Sequence, residues 1–262
     1  MKNTITIIGG GNLGASIAQG LIKSGYTPPE NITVTRRKID DLEGLKTQGV
    51  KTTSDNKEAA GQAKIVIVAV KPRQADEVLQ DIREVIQTNK PLLISVVTGV
   101  TMNHIKKIVG SHIKVFRVMP NTAIAIQQSM TCISSANGSE KEIEEVKNLF
   151  EHLGKVAIIH EELMDASTAL GACGIAFALR FIRAAIQGGI EIGFDAHTAE
   201  LIASQTAKGA ASLVMERKQH PEREIDLVTT PQGCTIAGLN EMEHQGFSSA
   251  LIKGIVTSFQ KI

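Results

Sequence analysis

Gly9, Gly11 and Gly14 stand at Gly-x-Gly-x-x-Gly spacing, directly after the β-branched apolar run Thr4–Ile8 and directly before a helical pattern of Leu13, Ile17, Ala18, Leu21 and Ile22. Glycines in that order suit a pyrophosphate. Gly9 permits the tight turn, Gly11 lets the backbone approach the anion, and Gly14 lets helix and strand pack closely. The helix that follows, opening at Asn12 and Leu13, offers N–H groups without intrahelical acceptors and the positive end of its dipole. A ligand-free tight turn also uses glycine, but a strand on one side and a helix on the other favour a bound dinucleotide.

The second strand, Asn31–Thr35, ends about 20 residues beyond the glycine turn, where an NAD site places an Asp or Glu on the ribose 2′-OH. Here Arg36, Arg37 and Lys38 follow instead. A guanidinium pairs bidentately with a 2′-phosphate, so the cofactor expected is NADP(H), with NAD(H) as the weaker alternative. Either Arg36 or Arg37 can face the phosphate, and a solvated basic loop is the alternative for both. Ala69-Val70-Lys71-Pro72 lies where the fourth strand runs into its loop. Loops at the carboxyl ends of parallel strands line the ligand crevice, which places all four beside the cofactor; a lone Lys71 is otherwise a surface lysine.

A third group is Thr230-Pro231-Gln232-Gly233-Cys234-Thr235. Thr at an N-cap with Pro at the first helical position predicts a helix starting there and continuing through Ile236, Leu239 and Met242. Its first N–H groups, around Gly233, Cys234 and Thr235, then form a receptor for an anion such as a carboxylate. Thr235 adds a hydroxyl in the first turn, which in a helix start more often bonds its own backbone. The seven histidines include no HxxxH or HExxH, so no metal is expected.

The elements that must carry these groups alternate through the first half. Strands are expected at 4–8, 31–35, 50–53, 64–70, 91–97, 113–118, 129–134 and 155–159, with helices near 12–24, 38–48, 55–61, 74–87, 101–109 and 139–153. Residues 63–70 and 92–97 are apolar on both faces, as central strands of a covered parallel sheet are. The expected class is α/β: a Rossmann-type doubly wound sheet over 1–160, followed by an all-α region over 161–262. In that second part, helical patterns occupy 163–192, 195–218 with Asp195 as N-cap, 233–245 and 247–260. Small residues crowd 166–189, which predicts close helix packing and burial against a partner subunit; a central helix within one subunit is the alternative.

Composition narrows the function classes. A net charge of +1 without a basic run, no Trp and a single Tyr argue against nucleic acid. No apolar stretch reaches the ~18 residues of a membrane span, and the N-terminus lacks a signal-peptide layout, so a cytoplasmic protein is expected. Cys132, Cys173 and Cys234 are widely spaced, which fits free thiols better than a disulfide framework.

With these segments in hand, the chain resembles the pyrroline-5-carboxylate reductase family over nearly its whole length. The matching motifs are residues 8–14, Asp55-Asn-Lys-Glu58, Ala69-Val-Lys-Pro72, Arg117-Val-Met-Pro-Asn-Thr122, Glu161-Glu-Leu-Met-Asp-Ala166, His220-Pro221 and, most specific, residues 229–238. The resemblance implies reduction of the cyclic imine 1-pyrroline-5-carboxylate to L-proline by NAD(P)H. It implies Thr235 as the hydroxyl that orients and protonates the imine nitrogen, with Thr230, Gly233 and Cys234 around the substrate. Asn56 and Met119 then border the cofactor, with helix capping as the alternative for Asn56, while Asn121 borders both ligands or is otherwise a turn residue. Glu161, with Asp165, frames the substrate or else only favours a helix dipole. It also implies a homodimer of interlocking helical domains, with a decamer of five dimers as the larger assembly.

Three departures stand out. Gly174-Ile175-Ala176-Phe177 replaces a Gly-Pro-Ala-Tyr-like sequence, which predicts a straighter helix. Gln232 replaces a glycine, a strained choice if its φ is positive. Arg180 and Arg183 introduce charges that must reach solvent or a partner. Rival functions are a reductase of another cyclic imine, a hydroxyacid dehydrogenase, for which Lys208 is the mid-helix base to consider, and a non-catalytic NADP(H) sensor.

Overall fold

The computed structural model describes residues 4–262. The chain divides into two compact units. One holds the described residues up to Cys173 with Phe259–Ile262, the other Gly174–Ser258. Residues 161–173, expected from the sequence in the helical domain, pack in the first unit.

The first unit is built on one sheet. Its strands are β1 (Ile5–Ile8), β2 (Ile32–Thr35), β3 (Lys51–Thr53), β4 (Ile65–Val68), β5 (Leu92–Ser95), β6 (Val115–Met119), β7 (Ser129–Ser135) and β8 (Gly154–Ile158), in the order β3-β2-β1-β4-β5-β6-β7-β8. Neighbours from β3 to β6 are parallel, β7 runs antiparallel to β6, and β8 is parallel to β7. The winding reverses between β1 and β4, which opens the crevice used by doubly wound sheets. The helices are α1 (Asn12–Lys23), α2 (Glu43–Lys46), α3 (Asn56–Gly61), α4 (Ala75–Asn89), α5 (Met102–Val109), α6 (Glu140–Glu151) and α7 (Met164–Ser167). A 3₁₀ turn at Ile39–Leu42 precedes α2, so the single helix expected over 38–48 is two short pieces.

Side-chain alternation along the central strands explains the two layers. Ile5, Ile7, Ile65, Ile67 and Ile94 face α1 and α6 through Ile17, Leu21, Val146 and Phe150. Ile8, Val66, Val68 and Leu93 face α4 and α5 through Leu79, Ile82 and Ile105. Burying each such side chain contributes about 1.5–3 kcal/mol, so the carboxyl edge of the sheet is a rigid platform. Thr6, on the α3 side, satisfies its buried hydroxyl by donating to the Ala59 carbonyl at 2.7 Å.

The second unit consists of α8 (Gly174–Glu191), α9 (Ala196–Arg217), α10 (Pro221–Val228), α11 (Cys234–His244) and α12 (Phe247–Phe259). No strand occurs among the described residues from 161 onward. Asp195 caps α9, accepting from the N–H groups of His197 and Thr198; the Thr198 hydroxyl, with these N–H groups, holds its carboxyl below the usual range. α10 was not expected; its start signals, His220 as cap, Pro221 at the first position and Glu222 and Glu224 in the first turn, were all present. α8 packs on α9 with Gly189 against Ala199, where a β-carbon on the glycine would come within 3.1 Å.

Within 174–258 Ala199 alone is buried, while Leu179, Phe181, Ile192, Leu201, Ile202 and Met215 are exposed. The small-residue helix therefore has no interior within this chain. Arg180 and Arg183 both reach the surface. α8 runs unbroken from Gly174, consistent with the missing proline, and the irregularity falls earlier, in a π-helical turn at Thr168–Ala172. One helical run, Glu161–Glu191, is long and apolar enough by length and composition to cross a membrane. The sequence expectation of no such stretch missed it because the run's glycines and arginines interrupt the apolar residues.

Candidate active site

The glycine turn closes over the end of β2: the N–H groups of Gly9 and Gly10 both donate to the Thr35 carbonyl, at 3.2 and 2.8 Å. Each glycine has its own reason. Gly9 has φ +106°, and a β-carbon there would come within 2.6 Å of the Ala69 carbonyl oxygen. A β-carbon on Gly14 would collide with the Gly9 carbonyl, and one on Gly10 would meet Leu42 at 2.5 Å and Val34 at 2.8 Å. Gly11 is different. Its φ of −79° suits any residue, and nothing lies within 4 Å of where its β-carbon would be. Chain packing does not explain that glycine, whereas an approaching pyrophosphate does. Gly11 is the N-cap of α1 and no side chain bonds the helix start, so the N–H groups of Asn12, Leu13 and Gly14 remain for a ligand. This fits NADP(H).

The residues expected around the nucleotide gather on this edge. The Arg36 guanidinium donates from Nη1 to the Gly10 carbonyl at 2.7 Å and from Nη2 to the Asp41 carboxylate at 2.6 Å. Arg36 is thus half-buried against the glycine turn, while Arg37 is exposed. Asn56 accepts from the Thr35 hydroxyl at 2.6 Å; the cap of α3 is its neighbour Asp55, which accepts from the Glu58 N–H. Ala69 and Val70 continue β4 against Gly9, and Lys71 and Pro72 are exposed beyond them. Met119 ends β6, buried, two strands from β4 across β5.

Asn121 is 8% exposed and bonded at both ends of its amide. Its Oδ1 accepts from the Ala123 N–H at 3.1 Å and its Nδ2 donates to the Gly171 carbonyl at 3.2 Å. That is the turn-residue alternative noted for it. Glu161 also has structural partners: its Oε1 accepts from the Met102 N–H at 2.6 Å and lies 3.7 Å from Arg117 Nη1. Arg117 was not singled out from the sequence. It is 2% exposed in the middle of β6, paired through Nη2 with Asp165 at 2.6 Å, and its Nε has no protein acceptor. An arginine inside an otherwise apolar strand was the available signal. Cys132, on β7, has its thiol pushed up by burial, against a hydrogen bond from Ser167 that lowers it.

In the helical unit the expected start at Thr230-Pro231 is corrected. α11 begins at Cys234 with Gly233 as N-cap. The Gly233 N–H donates to the Thr230 carbonyl at 2.9 Å, and Gln232 has φ +59°. Pro followed by a positive-φ residue is the pattern of a type II turn, and that reversal prevents a helix from passing through 231–233. Gln232 occupies the conformation that glycine would favour. No side chain caps α11, so the N–H groups of Cys234 and Thr235 stay without intrahelical acceptors. Thr230, Cys234 and Thr235 are exposed in the chain, and Gly233 lies over the Thr230 hydroxyl.

Two family models match successive parts of the chain. Residues 161–262 match the family model described as pyrroline-5-carboxylate reductase dimerisation, and residues 4–99 match NADP oxidoreductase, coenzyme F420-dependent. Pyrroline-5-carboxylate reductase 2 of Dictyostelium discoideum is 43% identical over 100% of this chain and 93% of its own length. The chain belongs to the pyrroline-5-carboxylate reductase family. Pyrroline-5-carboxylate reductase 1 of the same organism is 47% identical over 99% of this chain, which spans 49% of that longer relative. Among solved pyrroline-5-carboxylate reductases, the Plasmodium falciparum pyrroline carboxylate reductase with NADP bound superposes with a TM-score of 0.91 at 26% identity, covering 99% of this chain and 96% of that one.

Proposed function

We propose that this chain reduces 1-pyrroline-5-carboxylate to L-proline, with NADP(H) as the preferred cofactor and NAD(H) as the weaker one. Family membership supports the reaction class. The observation that carries the cofactor half is Gly11, a glycine that no neighbouring atom requires and that leaves room for a close pyrophosphate, beside a half-buried Arg36. Arg36 is assigned to the 2′-phosphate over the exposed Arg37.

The reduced nicotinamide supplies a hydride to the imine carbon. The chain's own residues bind and orient. The free N–H groups at Cys234 and Thr235 take the substrate carboxylate, with Gly233 permitting close approach and Thr230 bordering it. The Thr235 hydroxyl donates a hydrogen bond to the ring nitrogen and relays to it a proton drawn from solvent water, so that, as the carbon receives the hydride, the C=N bond becomes a C–N single bond and Thr235 stays protonated. No strong acid or base is required, and most of the acceleration comes from positioning. Asn56, Met119 and residues 69–72 border the cofactor. Glu161 and Asn121 act on the substrate indirectly, by fixing the backbone around them through the bonds of Glu161 Oε1 to the Met102 N–H and of Asn121 Nδ2 to the Gly171 carbonyl.

The working unit of this proposal is a homodimer, which the exposed apolar side chains of α8 and α9 support, and a decamer of five dimers is the assembly expected of it. A reducing compartment such as the cytoplasm suits its three free cysteines. The test is NADPH oxidation by purified protein with and without pyrroline-5-carboxylate. Oxidation should occur only with the imine; no turnover at any pH would favour the sensor reading.

A further inference from the structure

We infer that Asp41 is a specificity-determining residue: its carboxylate competes with the 2′-phosphate for the Arg36 guanidinium and holds the preference for NADP(H) below what Arg36 alone would confer. The inference rests on the assignment of Arg36 to that phosphate.

The pair is not an incidental surface contact. The Arg36 Nη2 to Asp41 Oδ2 distance is 2.6 Å, and the guanidinium is fixed a second time by its bond from Nη1 to the Gly10 carbonyl. Asp41 itself is held in place. It lies in the 3₁₀ turn Ile39–Leu42, whose Leu42 is buried at 2% exposure and packs on Val34 and on the α-carbon of Gly10. The glycine turn, the arginine and the carboxylate are therefore parts of one packed corner. Side-chain exposures of 37% for Arg36 and 45% for Asp41 leave the guanidinium reachable from solvent.

Two consequences follow from charge. An arginine has five N–H donors, and this one has committed one from each terminal nitrogen, so a phosphate is left with the rest or must displace the carboxylate. A phosphate monoester carries about −1.5 to −2 charges near neutral pH, and a carboxylate on the same guanidinium repels it. NAD(H) lacks that phosphate and feels neither effect. Asp41 thus stands where the sequence lacks the carboxylate of an NAD site, but it acts on the arginine.

Binding of NADP⁺ and NAD⁺ to the full chain by calorimetry tests this, using wild type, Asp41→Asn, Arg36→Ala and the double variant. Asparagine keeps the shape at an exposed position, and circular dichroism checks the fold. Asp41→Asn should tighten NADP⁺ about 3- to 10-fold and leave NAD⁺ within about twofold, an effect that shrinks with added salt. Arg36→Ala should weaken NADP⁺ selectively, and Asp41→Asn should then tighten it much less than in wild type, through relief of direct repulsion alone. Weaker or unchanged NADP⁺ binding in Asp41→Asn, with Arg36→Ala still selective, overturns the inference alone. Equal loss of both cofactors in Arg36→Ala overturns the Arg36 assignment. Tightening by Asp41→Asn that is as large in the double variant as in wild type moves the phosphate to another cation and refutes the competition.

Discussion

Arg117 Nη2 lies 2.6 Å from the Asp165 carboxylate, joining the middle of β6 to a residue 48 positions later in α7. With Glu161 beside the same guanidinium and bonded to the Met102 N–H, this cluster fastens residues 161–173 to the sheet unit. The arginine is 2% exposed, so these carboxylates offset the cost of burying its charge.

Asp165→Ala should therefore lower stability by about 2 kcal/mol or more, since it leaves a buried guanidinium with only the longer Glu161 contact. In the Arg117→Met background the same change should cost much less, because no charge remains to be stranded. Urea unfolding of the three variants measures the difference; equal costs in both backgrounds would refute the coupling.

The glycine turn separates folding from binding. Gly11→Ala should fold as the parent does, because the added methyl meets open space, yet weaken NADP⁺ by about tenfold or more through lost approach to the pyrophosphate. Gly14→Ala should damage the fold itself, as its methyl meets the Gly9 carbonyl. Thermal melts paired with cofactor titration distinguish the two; a Gly11→Ala protein that binds normally removes the pyrophosphate from this turn.

Thr235→Ala should reduce kcat by about 100-fold while the Kd for NADPH stays unchanged, with Thr235→Ser recovering most of the loss. Single-turnover kinetics against a cofactor titration separates the effects. An unchanged kcat would leave Thr235 as a helix-start residue only.

Glu142 provides a pH handle away from the site. Burial raises its pKa, but bonds from Lys114 and from the backbone and hydroxyl of Ser139 outweigh that and bring it down to about 2. A depressed carboxyl stabilises the fold above its ordinary value of 4.5, and that contribution is lost as pH falls from there toward 2. Ser139 and Glu142 form a capping box on α6. Glu142→Gln should cost about 1 kcal/mol at neutral pH and flatten the acid limb of the stability curve between those values. Denaturant midpoints across pH check it; a limb of unchanged slope would show that other carboxylates govern it.

Much of this was legible in the chain because the deciding interactions are local. Residues 63–70 and 92–97 are apolar on both faces, which only a doubly covered strand tolerates, and the observed β4 and β5 follow directly. Arg117 was illegible for the opposite reason: a charge in a strand has no meaning until the fold brings Asp165 to it. The start of α11 was misread because Thr-Pro is a local signal, and the positive φ at Gln232 overrides it. Asn121 and Glu161 kept two readings in the sequence, as an amide or carboxylate near a site looks the same whether it faces a ligand or a backbone N–H.

The helical unit keeps a single buried residue, Ala199, in 85 positions from Gly174 to Ser258. A segment whose inner face is another copy of itself has no private stability. Its melting point rises with protein concentration, and a newly made chain presents sticky side chains until it meets its twin. In the proposed homodimer a damaged copy would also hand its fault to the sound one it pairs with, so in a mixed population the loss of function should outrun the fraction of defective chains.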